Sequence, residues 1–270
     1  MEYSDFEHLR CERRANGVLL ITIDRPEALN AANAVLHREF AEIWPVVGAD
    51  ADTRVAVITG AGRAFSVGGE LAMLERNLDD IELVIRTGAE AIQIVENMLA
   101  LEKPIVSAVN GPAAGAGLAV ALLADISIAA EDAVLTDAHT RVGVASGDHA
   151  VLLWPLLCGM AKAKLYLLTA DRLDGREAER IGLVSRCEPA ERVLPAALEL
   201  ADRLALLSQP ALHATKRALN HWYRLAAPQF ELSVTQEMLN FLQPDAREGV
   251  RALIEKRRPS FPSAPPVPAP

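Results

Sequence analysis

Two short loops rich in glycine and alanine could bind an oxygen that becomes negatively charged during a reaction. The first covers residues 60–71 and contains Gly68-Gly69, and the second covers residues 110–118 and contains Gly115-Ala116-Gly117. Each follows a predicted buried strand and precedes helical sequence, so each can present unpaired helix N-terminal amides to a ligand. Two fixed donors from separate strands are what an oxyanion hole requires. Either loop alone is more simply explained as a tight turn in an α/β protein.

The loops belong to a longer alternation of strands and helices. A hairpin is predicted around Asn16-Gly17, and Asn30 is expected to cap the first helix. The predicted strands cover residues 6–14, 18–24, 55–59, 105–109, 126–130, 133–135 and 183–187. The predicted helices between them cover residues 31–47, 78–101, 149–158, 161–169 and 175–181. This alternation predicts an α/β fold with parallel strands.

The pattern changes to helix alone after Pro189. The predicted helices there cover residues 190–206, 210–225, 229–242 and 244–257. We therefore predict a core over residues 1–190, a C-terminal helical oligomerisation region over 191–258, and a Pro-rich tail over 259–270. The tail is expected to be disordered because six of its 12 residues are prolines.

The composition excludes several classes of partner. The chain has 270 residues, of which 51% are hydrophobic, enough for one α/β domain with a large core. Its net charge of -9 and pI of about 5.2 argue against nucleic acid or an anionic membrane as the main partner.

The cysteines and apolar segments suggest a cytoplasmic protein. Cys11, Cys158 and Cys187 are too few and too far apart for a disulfide framework or a zinc site, which fits a reducing compartment. The first residues lack the basic and apolar regions of a signal peptide, and no apolar run is long enough to span a membrane.

Five segments in order resemble the crotonase superfamily, also called the enoyl-CoA hydratase/isomerase family. Two of them contain the loops described above, Gly62-Arg63-Ala64-Phe65-Ser66-Val67-Gly68-Gly69-Glu70-Leu71 and Asn110-Gly111-Pro112-Ala113-Ala114-Gly115-Ala116-Gly117-Leu118. The other three are Arg25-Pro26-Glu27-Ala28-Leu29-Asn30-Ala31, Thr215-Lys216-Arg217-Ala218-Leu219 and the segment from Glu248 to Phe261. The resemblance covers nearly the whole chain.

The resemblance implies a fold, an assembly and a substrate. The expected fold is a crotonase-like spiral of ββα turns with a C-terminal helical trimerisation region, and the expected assembly is a homotrimer or a hexamer. The substrate would be an acyl-CoA thioester, with no cofactor and no metal. The backbone amides of Gly69 and Ala116 would form the oxyanion hole. The segments around Ala28 and Ala64, together with Lys256, would bind the CoA.

The chain departs from typical hydratases at both catalytic glutamates. Their positions correspond here to Ala119 and His139. His139 is then the candidate base, because a histidine exchanges protons near neutral pH. Asp148 could orient the imidazole, or it could simply cap the helix that follows. His149 could face the same pocket, although a surface position at the helix start is the simpler expectation.

The remaining polar residues near these segments are expected to be structural. Asp137 and Glu70 are assigned to this class. His8, His37, His213 and His221 have no chemical partners in their sequence neighbourhood. Leu152, Leu153 and Trp154 are expected in the core.

Three functions remain open. The leading one is an enoyl-CoA hydratase/isomerase-type enzyme with His139, or a His139–Asp148 pair, in place of the glutamates. The second is a carbon–carbon bond hydrolase, because crotonase-like β-diketone hydrolases resemble this chain at the spacing of His139 and Asp148. Those enzymes also use a histidine near the second loop, where this chain has Ala116. The third is a non-catalytic acyl-CoA binder.

Overall fold

Most strands are continuous apolar segments, and six of them form one sheet. A computed structural model describes residues 2–265. The strands are β1 (Leu9–Arg13), β2 (Val18–Ile23), β3 (Val55–Gly60), β4 (Ile105–Val109), β5 (Ala113–Ala114), β6 (Ile126–Ala130), β7 (Leu135–Thr136) and β8 (Arg186–Glu188). The large sheet has the order β1-β2-β3-β4-β6-β8. Its first pair is antiparallel and the other pairs are parallel.

The strand order explains the spiral. Each strand of the large sheet lies beside the one before it, and helical segments connect the parallel strands, so the chain advances in one direction. Strands β5 and β7 are not part of the large sheet. They pair with each other in parallel as a separate two-stranded sheet. Strands β2, β3 and β4 are buried along their whole length, as expected for parallel strands covered on both faces. The predicted spiral of strand and helix turns is confirmed.

The helices cover the sheet and form the C-terminal third. They are α1 (Ala34–Ala49), α2 (Leu71–Asn77), α3 (Ile81–Ala100), α4 (Gly115–Leu123), α5 (Ala150–Cys158), α6 (Met160–Thr169), α7 (Gly175–Arg180), α8 (Ala190–Ala205), α9 (Gln209–Leu225), α10 (Ala227–Phe241) and α11 (Pro244–Ile254). The side chains of Leu152, Leu153 and Trp154 on α5 are buried, as predicted. Among residues 2–265, no helix combines the length and apolar character needed to cross a membrane.

The cap of α1 differs from the prediction. Asn33, not Asn30, caps the helix by accepting a hydrogen bond from the Leu36 amide at 2.9 Å. Asn30 is fully buried, and its side-chain NH2 donates to the carbonyls of Ala61 and Ala64 at 2.9 and 2.8 Å. It therefore ties the segment before α1 to the first glycine-rich loop.

The C-terminal helices are not separate from the core. Helix α8 packs against strands β3, β4 and β6, so the core continues past the predicted boundary at residue 190. Within the first part of the predicted tail, the Ser260 and Ser263 amides donate to the carboxylates of Glu248 and Asp245. The rest of the predicted tail lies outside the described residues.

Candidate active site

The two glycine-rich loops lie in direct backbone contact. A bridge joins Ser66 to Ala113, and the Ala114 amide donates to the Ser66 carbonyl at 2.9 Å. Gly117 permits this approach, since a Cβ there would lie 2.4 Å from the Ser66 Cβ. Gly68 has a φ of +89°, a backbone conformation that favours glycine. These residues place the ends of both loops at one cavity.

Both predicted oxyanion donors border that cavity, which has a volume of about 70 Å³. Ala116 is the second residue of α4, so its N–H precedes the first intrahelical hydrogen bond. The Gly69 N–H donates to no other backbone group among residues 2–265. The structure therefore brings together two amides that sequence patterns had placed on separate loops.

His139 reaches the same cavity from a 3-10 turn over His139–Val142. Gly143 and Gly249 let this turn pack closely against α11. A Cβ at Gly143 would lie 2.6 Å from the Asp245 carbonyl oxygen, and one at Gly249 would lie 2.3 Å from the Val142 carbonyl oxygen. The turn is thus held by backbone packing, which fixes the position of the imidazole.

Three carboxylates surround the His139 ring. Its Nδ1 lies 2.9 Å from Asp137 Oδ1, and its Nε2 lies 3.5 Å from Glu237 Oε1 and 3.7 Å from Asp148 Oδ2. Asp137 is fully buried and also accepts from the Ser146 hydroxyl at 2.7 Å. Asp137, expected to be structural, is therefore the partner that orients His139.

Asp148 belongs to this cluster. Within the described part of the chain, no side chain caps α5, whose N-cap residue is His149. Instead, Asp148 Oδ1 lies 2.5 Å from His149 Nδ1, while Oδ2 faces His139. His149 is fully buried behind Asp148, so the surface position expected for it is wrong. The helix-capping alternative for Asp148 is also wrong.

Glu237 is a site residue that the sequence did not reveal. It lies on α10, is buried, and borders the cavity with His139 and Asp148. Among the described residues its Oε2 has no hydrogen-bond partner. A Cβ at Gly147 would lie 2.7 Å from that oxygen, so the glycine makes room for the carboxyl. Helical periodicity on α10 gave no signal that this glutamate faces a histidine.

The cluster shifts the pKa values of its members. Burial would lower the pKa of His139, but the charges of Asp137, Asp148 and Glu237 raise it well above its ordinary value. Burial raises the pKa of Glu237 to about 8, against the opposing charge of His139. Burial would also raise the pKa of Asp148, but His149 and His139 hold it well below its usual range. The carboxylates therefore favour the imidazolium form of His139 over the free base expected from the sequence.

His37 is a second missed residue. It lies on α1, borders the cavity, and its Nδ1 lies 2.6 Å from Glu90 Oε2 on α3. The expectation that His37 has no partners is wrong, because Glu90 is close only after α1 and α3 pack together.

The other predicted residues lie away from this cavity. Ala28 ends a short 3-10 turn, Ala64 is buried within the first loop, and Lys256 is exposed beyond α11. Ala119, at a hydratase glutamate position, is buried in α4. None of the four borders the cavity.

One part of the cluster also has the spacing of a cation site. The ligand atoms of His139, Asp148 and Glu237 lie within 4.8 Å of one another. Such nitrogen and oxygen donors suit a divalent transition metal. An imidazolium cannot ligate a metal, so the raised pKa of His139 favours a proton-transfer role over this one.

The chain is similar to known proteins along almost its entire length. A family model described as enoyl-CoA hydratase/isomerase matches residues 13–264. A probable enoyl-CoA hydratase of Rhizobium meliloti (strain 1021) is 34% identical over 245 residues, which cover 90% of this chain and 93% of that protein.

Solved structures show the same fold. An enoyl-CoA hydratase/isomerase from Mycobacterium paratuberculosis is 34% identical with a TM-score of 0.86, over 90% of this chain and 97% of that one. A β-diketone hydrolase from Anabaena sp. PCC 7120, bound to (S)-3-oxocyclohexyl acetic acid, is 27% identical with a TM-score of 0.81. That match covers 89% of this chain and 96% of the hydrolase.

Proposed function

Because the chain belongs to the enoyl-CoA hydratase/isomerase family, we propose that it catalyses hydration or the reverse dehydration of an acyl-CoA thioester. The observation that carries this proposal is the placement of His139 and Glu237 in one cavity with the Gly69 and Ala116 amides. The amides bind the thioester oxygen, and the two side chains move the protons.

The oxyanion donors act on the thioester carbonyl. When water adds to the β-carbon of an enoyl thioester, electrons move through the double bond to the carbonyl oxygen. The N–H groups of Gly69 and Ala116 stabilise the resulting enolate, and the dipole of α4 has the favourable sign. Each donor of this kind is worth about 3 kcal/mol in the transition state.

The His139–Glu237 pair supplies a base and an acid. In the hydration direction, ionised Glu237 takes a proton from the attacking water, and imidazolium His139 donates its proton to the α-carbon. The raised pKa of His139 supports the acid role, which reverses the role expected from the sequence. The distance of 3.5 Å between Oε1 and Nε2 then allows the proton to pass from Glu237 back to His139. Asp137 and Asp148 keep the imidazole charged and oriented.

A retro-Claisen hydrolase is the second candidate. The similarity to a β-diketone hydrolase favours it, as does the surrounding of His139 by carboxylates. Here Glu237 activates water that adds to the β-carbonyl carbon of a β-oxo acyl-CoA. The bond between the α- and β-carbons breaks, a carboxylic acid leaves, and the enolate is held by the same amides. His139 protonates its α-carbon to give the shorter acyl-CoA.

An absorbance assay of thioester substrates tests these functions. The enzyme, its His139→Gln variant and a His213→Gln control are compared with crotonyl-CoA and aromatic enoyl-CoAs, and then with β-oxo acyl-CoAs. Loss of the enoyl absorbance that requires His139 but not His213 supports hydration. Cleavage of β-oxo thioesters alone supports the hydrolase. Tight binding of both classes without turnover would contradict catalysis and leave an acyl-CoA binder.

The CoA contacts and the assembly are part of the same proposal. We place the CoA against the segments of Ala28 and Ala64, with Lys256 near its phosphates. We also propose a homotrimer or a dimer of trimers, supported by exposed apolar side chains on α9. Leu219, Trp222 and Leu225 there are 59%, 65% and 74% exposed. Sedimentation velocity tests the assembly, and a monomer at micromolar concentration would contradict it.

A further inference from the structure

Part of the cavity wall is polar but takes no part in the proposed proton transfers. His37 on α1, Asn77 at the end of α2 and Thr87 on α3 border the same space as His139 and Glu237. The apolar members of this wall, such as Met73, Met238 and Phe241, suit an acyl chain. An acyl group made only of carbon and hydrogen would leave the polar groups without partners.

The His37 ring is fixed with one nitrogen available. Its side chain is only 8% exposed, and Nδ1 is occupied by Glu90 at 2.6 Å. Among residues 2–265, Nε2 has no hydrogen-bond partner. An ion pair between α1 and α3 explains the contact with Glu90. It does not explain why His37 borders the substrate cavity.

Asn77 provides a second polar group in this wall. Its residue exposure is 1%, and its Oδ1 has no hydrogen-bond partner within the described chain. An unpaired buried acceptor is costly, about 1–3 kcal/mol, unless a ligand or water satisfies it. An amide oxygen accepts but does not donate, so its partner must carry an O–H or N–H group.

The small volume of the cavity limits the size of the acyl group that it can bind. A cavity of about 70 Å³ is small beside sites for drug-sized molecules, which start near 300 Å³. Only a short acyl group fits without displacing side chains such as Phe241 and Met238. Its α- and β-carbons must lie between the oxyanion amides and the His139–Glu237 pair. The group that meets His37 and Asn77 therefore lies farther along the acyl chain.

We infer that the preferred acyl-CoA has a short acyl group with a hydroxyl beyond the β-carbon, bound by His37 and Asn77. The hydroxyl donates to Asn77 Oδ1, and its oxygen accepts from His37 Nε2–H, which requires His37 to carry both ring protons while its Nδ1–H donates to Glu90. This inference rests on the proposed acyl-CoA function and names its substrate class. It makes His37 and Asn77 specificity residues rather than catalytic ones.

Binding of two saturated thioesters separates this inference from catalysis. Pentanoyl-CoA and 4-hydroxypentanoyl-CoA have equal main-chain length and no double bond to hydrate, and isothermal titration calorimetry gives both Kd values. We expect the hydroxy compound to bind the parent protein about tenfold more tightly, the effect of about one buried hydrogen bond. His37→Leu and Asn77→Leu should each abolish most of this preference.

Controls keep the result interpretable. His213 also faces a glutamate, Glu102 at 4.0 Å, but lies outside the cavity, so His213→Leu should keep the preference. If His37→Leu does not fold, His37→Phe and Asn77→Leu provide the same comparison. Equal binding of the two thioesters by the parent protein would overturn this inference alone. Failure of both to bind would overturn the proposed acyl-CoA function, and with it this inference.

Discussion

Glu237 Oε1 lies 3.5 Å from His139 Nε2, although 237 − 139 = 98 positions separate the two residues in the chain. Both are buried, and both border the cavity that the Gly69 and Ala116 amides reach. We propose that the pair replaces the two glutamates of typical hydratases, whose positions here correspond to Ala119 and His139. In the proposed hydration, His139 starts with the proton to be donated, and Glu237 starts as the ionised carboxylate.

Removing the acid–base function of Glu237 should stop hydration without unfolding the protein. Glu237→Gln keeps the size of the side chain but cannot accept a proton from water. We expect kcat to fall by about 10²- to 10⁴-fold, the usual contribution of general acid–base catalysis. Glu231→Gln, on an exposed part of the same helix, is the matched control. Equal activity of the two variants would remove Glu237 from the mechanism.

The pH dependence should report the ionisation of Glu237. Burial raises its pKa to about 8, so the carboxylate form that acts as base becomes more abundant as the pH rises. We expect kcat/KM for hydration to increase about tenfold per pH unit below this value, and to fall again at the higher pH where His139, the proposed acid, loses its proton. The steady-state rate measured from pH 6 to pH 9 tests the rising limb. An activity that does not rise with pH below 8 would contradict the assignment of Glu237 as the base.

Ala116→Pro tests the oxyanion hole, because proline removes one amide donor and is tolerated in the first turn of a helix. We expect kcat/KM to fall about 10²- to 10³-fold, equivalent to about 3 kcal/mol. Glu191→Pro places proline at the same position of α8 and is the control for folding. Activity near that of the control would contradict the assignment of Ala116.

Asp137→Asn tests what keeps His139 protonated. The carboxylate at 2.9 Å favours the imidazolium, so its loss should lower the pKa of His139. NMR titration of the His139 ring should show this decrease. The exposed Asp132→Asn variant should leave the titration unchanged. An unaltered His139 titration in Asp137→Asn would assign Asp137 a packing role.

Local sequence patterns predicted much of the fold. The strands at 105–109 and 126–130 have the predicted bounds, because each is a short apolar run between turn residues. The last strand was predicted at 183–187 but covers Arg186–Glu188, where Leu183 and Val184 pack in the core instead of pairing. Buried apolar residues alone do not distinguish a strand from a packed loop.

Sequence patterns identified only some of the residues at the candidate site. The glycine-rich loops and His139 were found because glycine, alanine and histidine carry local or family signals. Glu237 and His37 sit in amphipathic helices, where a glutamate or histidine normally faces solvent. Their role arises when α10 packs on the segment of Gly147, and when α1 packs on α3. Such contacts depend on tertiary structure and cannot be predicted from the local spacing of residues in the sequence.

Exchange of α-protons in D2O tests the central claim most directly. The enolate held by Gly69 and Ala116 requires His139 to give and take the α-proton, and the neutral ring that takes it forms when Glu237 holds the proton that the pair shares. Proton NMR of butanoyl-CoA with the enzyme should therefore show α-deuteration that is lost in His139→Gln and kept in the His213→Gln control. Bound butanoyl-CoA that never exchanges, or exchange that survives His139→Gln, would contradict the account.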